Sequence, residues 1–373
     1  MTAVREDEAR RPGPRRATPP ANSSRRTSRR AFLAAAGAGT LAGLAGCSSL
    51  NLTSEETGSN GRRTTTIDRP AAVYYPTHAT GMQMSGVQKT RGYACALTYT
   101  IPETFWLVGG TDAAKATPAA GDELHVMPVV WDVETGQRLT DVSPMLRFVD
   151  DGSVVASNAP WPMLAQRMGF HYGDNVALPS GGTYDVTVHV GAPAARRTGA
   201  LAAPESATFE FSLAYSAAEI DAISYRTIDR AGERGALDPM SMRMIPGGAL
   251  PAVDALPGRR LGTGTIGDAA VAATLLDDAT GFGGDESDVY LAVSPRTPYN
   301  DYPLPMAGFG ARVDGTDHDL VETIDAALGH HYGVVLDGDV SRVTIGLDVP
   351  PQVSRHGGYE TAFFDTASVT LGE

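Results

Sequence analysis

The tripeptide His-Tyr-Gly occurs twice, at His171-Tyr172-Gly173 and at His331-Tyr332-Gly333, 160 residues apart. Each copy precedes a short run rich in β-branched residues: Val186-Thr187-Val188 after the first, Val343-Thr344-Ile345 after the second. Upstream, Asp285-Glu286-Ser287-Asp288-Val289-Tyr290-Leu291 parallels Asp122-Glu123-Leu124-His125-Val126-Met127-Pro128. Arg312-Val313-Asp314-Gly315 parallels Val149-Asp150-Asp151-Gly152. A period this long is too great for a solenoid repeat and means duplicated domains. The chain must therefore fold as two copies of one module.

The module reads as β. Short alternating runs, Tyr93–Ile101, Glu123–Val133, Met145–Val149, Tyr184–Val190 and Thr208–Tyr215, are separated by turn signals such as Glu134-Thr135-Gly136 and Asp150-Asp151-Gly152. Ala71–Tyr75 reads as the first strand, residues 76–84 as a loop, and Gly109–Gly121 as another loop. About seven short strands in this spacing give an antiparallel sandwich. Ser216-Ala217-Ala218-Glu219 fits a capping box, so a short helix to about Asp229 is expected between the copies, with Ile223-Ser224-Tyr225 as strand the alternative. The expected fold is all-β: two tandem immunoglobulin-like antiparallel β-sandwich domains with a short connecting helix. The domains span residues 70–215 and 240–373, and a linker covers 216–239. Asp317-His318-Asp319 is read as the cap of a short helix running to Leu328.

Residues 1–46 read as an address rather than structure. Ser28-Arg29-Arg30-Ala31-Phe32-Leu33 is a twin-arginine pattern, and the Ala/Gly/Leu run behind it ends in Leu44-Ala45-Gly46-Cys47, which resembles a lipobox. The expectation is export by the twin-arginine route, lipid attachment at Cys47, and anchoring to the outer face of the cytoplasmic membrane. Residues 47–69, rich in Ser, Thr and Gly, then form a flexible tether. Lipidation of Cys47 leaves Cys95 alone in an apolar alternating run, where it reads as a buried strand residue.

The formal net charge is −13, yet the first 46 residues hold nine Arg and three acids. The remainder carries 21 basic and 40 acidic residues, and the chain has only two Lys, Lys89 and Lys115. An acidic, Lys-poor surface fits a high-salt habitat, where screening relieves self-repulsion. It excludes nucleic acid as a partner, because no basic patch is present.

His78, Met82, Met84, Met163 and His171 fall on expected loops or strand edges. Neutral imidazole with thioether sulfur is a soft donor set that suits copper, Cu(I) above all, and Fe(II) less well. His125 and His189 alternate within strands and read as structural. No Gly-x-Ser-x-Gly elbow, His-Glu-x-x-His or phosphate loop is present. Gly262-Thr263-Gly264-Thr265-Ile266-Gly267 matches the spelling of a dinucleotide loop, but Arg-Arg precedes it in place of a strand. An enzyme is not expected.

Pro162-Met163, His171-Tyr172-Gly173-Asp174-Asn175, Val186–Val190 and Pro193, with Val73-Tyr74, His78 and Gly81-Met82 upstream, resemble the periplasmic high-affinity iron(II)-transport protein family. The resemblance covers residues 70–215 and, more weakly, 240–373. It implies an immunoglobulin-like copper- or iron-binding protein that acts with a membrane iron permease. Met163 and His171 fall on family ligands, and His78 falls where the family has a Glu. The family's further His is missing from Ala194-Ala195-Arg196-Arg197-Thr198-Gly199 but present in Ser354-Arg355-His356. The second module has Glu322-Thr323-Ile324 where Met163 aligns. Two readings stay open. The fused repeat imitates the family's dimer, with His356 or His330 completing a site begun by the first module, or the second module is a degenerate structural half. A structural or adhesive sandwich with no metal site is the remaining class.

Overall fold

Alternation along the strands decides the architecture. In Ala207–Tyr215 every second side chain is buried, so this strand has one face on a core and one in water. Tyr93–Thr100 is buried on both faces. Its odd-numbered side chains enter the sandwich core, while Ala94 and Ala96 enter a second apolar cluster on the outside of the same sheet. That doubly covered sheet carries the candidate site.

The computed structural model describes residues 69–90, 92–201 and 206–373. The leader, Cys47 and the tether up to residue 68 lie outside the described residues. In the first half an eight-stranded sheet runs in the order Gln83–Lys89, Tyr93–Thr100, Asp122–Asp132, Gly169–Ala177, Trp161–Ala165, Ser354–Arg355, Phe105–Gly109, Asp112–Ala116. It packs on a four-stranded sheet of Ala207–Tyr215, Gly182–Val190, Pro144–Asp150 and Ser153–Asn158. Leu97, Val126 and Leu164 of one sheet meet Phe148, Val186 and Phe209 of the other.

The second half repeats the plan. A six-stranded sheet runs Arg196–Arg197, Val321–Asp325, Gly329–Asp337, Asp288–Arg296, Ala269–Leu276, Arg259–Ile266. It faces Thr316–Asp319, Gly308–Val313, Arg342–Val349 and Ser368–Gly372. The expected class, all-β with two tandem antiparallel sandwiches, is the observed one.

The copies are tied together by an exchange of two-residue strands. Ser354–Arg355, from the second half, pairs parallel with Trp161–Ala165 and antiparallel with Phe105–Gly109 in the first. Arg196–Arg197, from the first half, pairs parallel with Val321–Asp325 in the second. The registers match across the repeat: Met163 lies opposite both His171 and Ser354, and Thr323 opposite both His331 and Arg196.

Several local expectations are corrected. In Ala71–Tyr75 only Ala72, Val73 and Tyr74 are buried, and the segment makes only an isolated bridge, Tyr74 to Arg234, because its neighbours on either side are irregular chain. Residues 76–84 include a short strand, His78–Thr80, which pairs with Tyr225–Thr227, and the start of Gln83–Lys89. Gly109–Gly121 contains the strand Asp112–Ala116, which turns back on Phe105–Gly109. The connecting helix is only Ala217–Asp221, and Ser216 caps it by accepting from the Glu219 N–H; of the alternative strand Ile223-Ser224-Tyr225 only Tyr225 is in a strand, Tyr225–Thr227. No helix follows His318: Thr316–Asp319 and Val321–Asp325 are strands, the latter rich in β-branched side chains. The glycine-rich 262–267 stretch lies in the strand Arg259–Ile266 and the turn after it.

Arg197 anchors its crossing strand by a bidentate pair with Asp141, Nη2 to Oδ1 at 2.7 Å and Nε to Oδ2 at 3.1 Å, with both side chains almost wholly buried. Removing one partner of such a pair leaves a buried charge uncompensated. Asp141→Ala is therefore expected to destabilise the protein by about 3–5 kcal/mol. Urea unfolding checks this, and a change inside roughly 1 kcal/mol, the scale of a surface pair, would contradict it.

Candidate metal centre

Three strands and one loop build the site. On Gly169–Ala177, Phe170, Tyr172 and Val176 point into the sandwich core, so His171 points to the outer face of the sheet. On Asp122–Asp132, Leu124, Val126 and Val130 take the core side, and His125 shares the outer face with Met127. Met163 lies directly opposite His171 on the neighbouring strand. His356 follows the inserted strand, and its backbone N–H donates to the Leu164 carbonyl at 3.0 Å.

One ring nitrogen of each of His125, His171 and His356 lies within 4.8 Å of the others, the one such group of three among the described residues. The imidazoles pack ring to ring, His171 with His356 at 5.4 Å and His125 with His356 at 5.3 Å. His125 and His171 are buried, and His356 is partly buried with its Nε2 covered.

In two of the rings, hydrogen bonds choose the free nitrogen. His171 Nδ1 donates to the Gly169 carbonyl at 3.0 Å, so its Nε2 carries a lone pair. His125 Nδ1 lies 2.9 Å from Asn175 Oδ1. That oxygen also accepts from the Glu103 N–H at 3.1 Å, while the Asn175 amide donates to the Glu103 carbonyl at 2.9 Å. The imidazole is therefore the donor, and its Nε2 is again the lone-pair atom. The Nε2 atoms of His125, His171 and His356 are all buried with no hydrogen-bond partner. A buried polar nitrogen left unpaired costs about 1–3 kcal/mol, so three within one cluster of rings are a considerable expense for packing alone.

Gly173 locates the fourth donor. A Cβ on this residue would stand 2.8 Å from His125 Nε2 and 2.9 Å from Met163 Sδ. The thioether and the imidazole thus flank the same small cradle. Burial keeps the ring nitrogens uncharged: it holds His171 down to about 3, moves His125 below its ordinary value, and moves His356 well below. Three neutral imidazoles and a thioether, already in ligating form, fit a copper or ferrous ion.

The equivalent place in the second half has different chemistry. His331 corresponds to His171 and keeps its bond from Nδ1 to a glycine carbonyl, Gly329, at 3.0 Å. Tyr290 lies opposite Val335 as His125 lies opposite Asn175, which shifts the sequence alignment of these strands by two residues. Thr323 replaces Met163, and Thr198 stands where His356 does. The Tyr290 hydroxyl is 3.0 Å from His331 Nε2 and would sit 2.1 Å from a Cβ on Gly333, so it fills the cradle. Arg196 donates to Tyr290 and to Thr323. Every donor that faces outward in the first half is here engaged.

Of the sequence candidates, the structure brings together Met163, His171 and His356. His78 and Met82 are set apart from the trio and line an adjacent cavity that also reaches His171 and His356. His78 pairs with Thr77 at 2.8 Å, lies 3.8 Å from Glu103 and stacks on Tyr225. His330 is engaged with Glu322 at 2.7 Å, and His189 faces solvent. Cys95 is buried in the core, as expected. His125, read from sequence as structural, is the residue that the reading missed. The available signal was parity: it shares no face with Leu124, Val126 and Val130.

A family model described as Fe2+ transport protein matches residues 143–217, and one described as a domain of unknown function (DUF7350) matches residues 254–372. No curated protein is similar to the chain. Among solved structures, a copper-bound variant of FetP from uropathogenic Escherichia coli is 20% identical, covering 36% of this chain and 97% of that one, with a TM-score of 0.30. A copper-bound variant of P19 from Campylobacter jejuni is 16% identical, covering 36% and 98%, with a TM-score of 0.29.

Two outcomes are expected. Gly173 has an ordinary backbone conformation, so Gly173→Ala should fold, yet its methyl takes the space between His125 Nε2 and Met163 Sδ. Copper binding should weaken by more than about 100-fold, since even outer partners of a metal site are worth 10–100-fold; isothermal titration with wild-type affinity would refute this. Separately, burial pushes His331 down to about 4. A folded value below the free imidazole's ~6.5 means that this group stabilises the fold above pH ~6.5 and loses that contribution as pH falls toward 4. NMR titration should find His331 uncharged at pH 5, and a midpoint near 6.5 would contradict the burial argument.

Proposed function

We propose that this chain is an extracytoplasmic, lipid-anchored protein that binds one copper or ferrous ion through His125, His171, His356 and Met163. It would hold that ion for a membrane uptake system, such as an iron permease. The observation that carries the reading is three histidines whose ligand nitrogens lie within 4.8 Å of one another, each with a buried, unpartnered Nε2, and a thioether beside His125 Nε2. Supporting it, the Fe2+ transport family model spans residues 143–217, which include both Met163 and His171. Export and anchoring rest on Ser28-Arg29-Arg30 and Leu44-Ala45-Gly46-Cys47.

The chemistry suits carriage. All four donors are neutral, so binding displaces no proton from them and the ion keeps its full charge. The Asn175 and Gly169 contacts hold two rings in the ligating tautomer before an ion arrives. Nothing in this role calls for turnover. The His356 donor comes from the second half, so one chain provides what two subunits would otherwise share: an intramolecular pseudo-dimer.

The test is metal content after incubation with copper and with ferrous iron under anaerobic conditions. Wild type should retain about one ion per chain. His171→Ala and His356→Ala should each lower affinity by more than about 100-fold, and His331→Ala should leave it unchanged. Retention by none of these proteins would favour a purely structural sandwich. Full retention by His356→Ala would sink the shared site.

A further inference from the structure

A cavity of about 160 Å³ opens beside the three histidines and is lined by His171 and His356. Met82, Met127, Met168 and Met240 also line it. Behind its wall, Met84 and Met242 join Met82, Met127 and Met168 in one apolar cluster with Ala94, Ala96, Val129, Trp131 and Ile245. With Met163, seven of the chain's 11 methionines gather around one cavity and its histidines. As core filler, Met and Leu are nearly interchangeable, yet among the described residues this cluster contains no Leu. Packing alone does not account for that choice; sulfur does.

The charged groups on the wall narrow the cargo. Arg69, Arg167, Glu103 and Glu360 all line the cavity. Glu360 is paired with Arg69 at 3.3 Å, and its other partners include the Tyr74 hydroxyl. Glu103 accepts from the Thr80 hydroxyl at 2.7 Å, and Arg167 donates to the Thr80 carbonyl at 3.1 Å. A hard dication entering here meets as many guanidinium groups as carboxylates, and four thioethers that bind it poorly. A soft monovalent ion loses little by the arginines and finds four methionines lining the same cavity as His171 and His356.

We propose that this cavity is the loading route of the metal site, that its cargo is a soft monovalent cation of the copper(I) class, and that Met82, Met127, Met168 and Met240 are its transient ligands. The inference rests on the metal-site reading above and deepens it by naming the oxidation state taken up. No redox step is involved. The ion exchanges thioether ligands for imidazole nitrogen, ending at His125, His171, His356 and Met163.

The experiment follows anaerobic uptake of copper(I) from its coloured bathocuproine complex by stopped flow, in wild type and in a Met82→Leu, Met127→Leu, Met240→Leu variant. Leucine keeps the volume and removes the sulfur. Loading should slow by roughly tenfold or more, on the scale of outer-partner effects at metal sites, while equilibrium copper(II) affinity stays at the wild-type value. An unchanged copper(I) rate with normal copper(II) binding overturns the route and leaves the site standing. No uptake of either ion by wild type overturns both. Should the variant fail to fold, methionine-methyl NMR of the wild type with added silver(I) decides. Shifts at the four lining methyls support the route, and shifts confined to Met163 overturn it.

Discussion

The insertion of Ser354–Arg355 between Trp161–Ala165 and Phe105–Gly109 is the contact on which the site depends. Without it, the first sheet would end in an open edge at Met163, and the third imidazole would be absent. The two-residue strand is held by more than its ladder. Arg355 is completely buried, and its guanidinium donates to the carbonyls of Pro351, Tyr359 and Ala362. Carbonyl dipoles in place of a bonded carboxylate leave its charge expensive, and burial lowers it to about 9. The chain accepts that cost, and in return the next residue, His356, is fixed against Leu164 with its ring packed against those of His171 and His125.

The second half shows what the same frame does when the donors differ. Arg196–Arg197 makes the reciprocal insertion, and His331 keeps the glycine-carbonyl bond of His171. Yet a tyrosine hydroxyl takes the cradle beside Gly333, and a guanidinium over the Tyr290 ring is the local cation. At this place the polar satisfaction that a buried group needs to avoid a penalty of about 1–3 kcal/mol comes from the protein itself: His331 Nε2 meets the Tyr290 hydroxyl, and Arg196 meets Tyr290 and Thr323. The first half leaves that need open at three nitrogens. The difference between the two halves is thus a difference in where hydrogen-bonding capacity is used, on the same backbone.

Much of this was legible in the sequence. The 160-residue repeat gave two sandwiches, and Ser216-x-x-Glu219 gave the capped helix start. The alignment of Ala194–Gly199 with the Ser354-Arg355-His356 segment marked the two segments that cross. What was not legible follows from periodicity. A strand period of two says which residues share a face, but not whether the second face is wet. Alternation within a strand makes His125 read as structural, since nothing in the pattern of Tyr93–Ile101 or Glu123–Val133 tells whether the second face is covered. The outer cluster of Met127, Met168 and Ile245 makes them two-sided, and it is assembled from segments far apart in the chain. His78 was drawn toward the site by its position after Val73-Tyr74. Pairing with Tyr225–Thr227, from beyond the connecting helix, holds it at the cavity wall instead.

In the proposed role, the acidic composition and the neutral site divide the task of metal recognition. Beyond residue 46 the chain carries a surplus of 19 acidic charges, which concentrates every cation near the protein without choosing among them. That field reaches about 8 Å at physiological ionic strength and about 3 Å at 1 M salt. In strong salt, therefore, long-range attraction can neither load nor select the ion. Selection must come from contacts shorter than the screening length, in a place from which competing salt cations are kept by chemistry and not by charge. Buried imidazole and thioether meet that condition, because Na+, K+ and Mg2+ gain nothing from them. A site with carboxylate ligands on the same surface would be swamped by the ions that its own charge attracts.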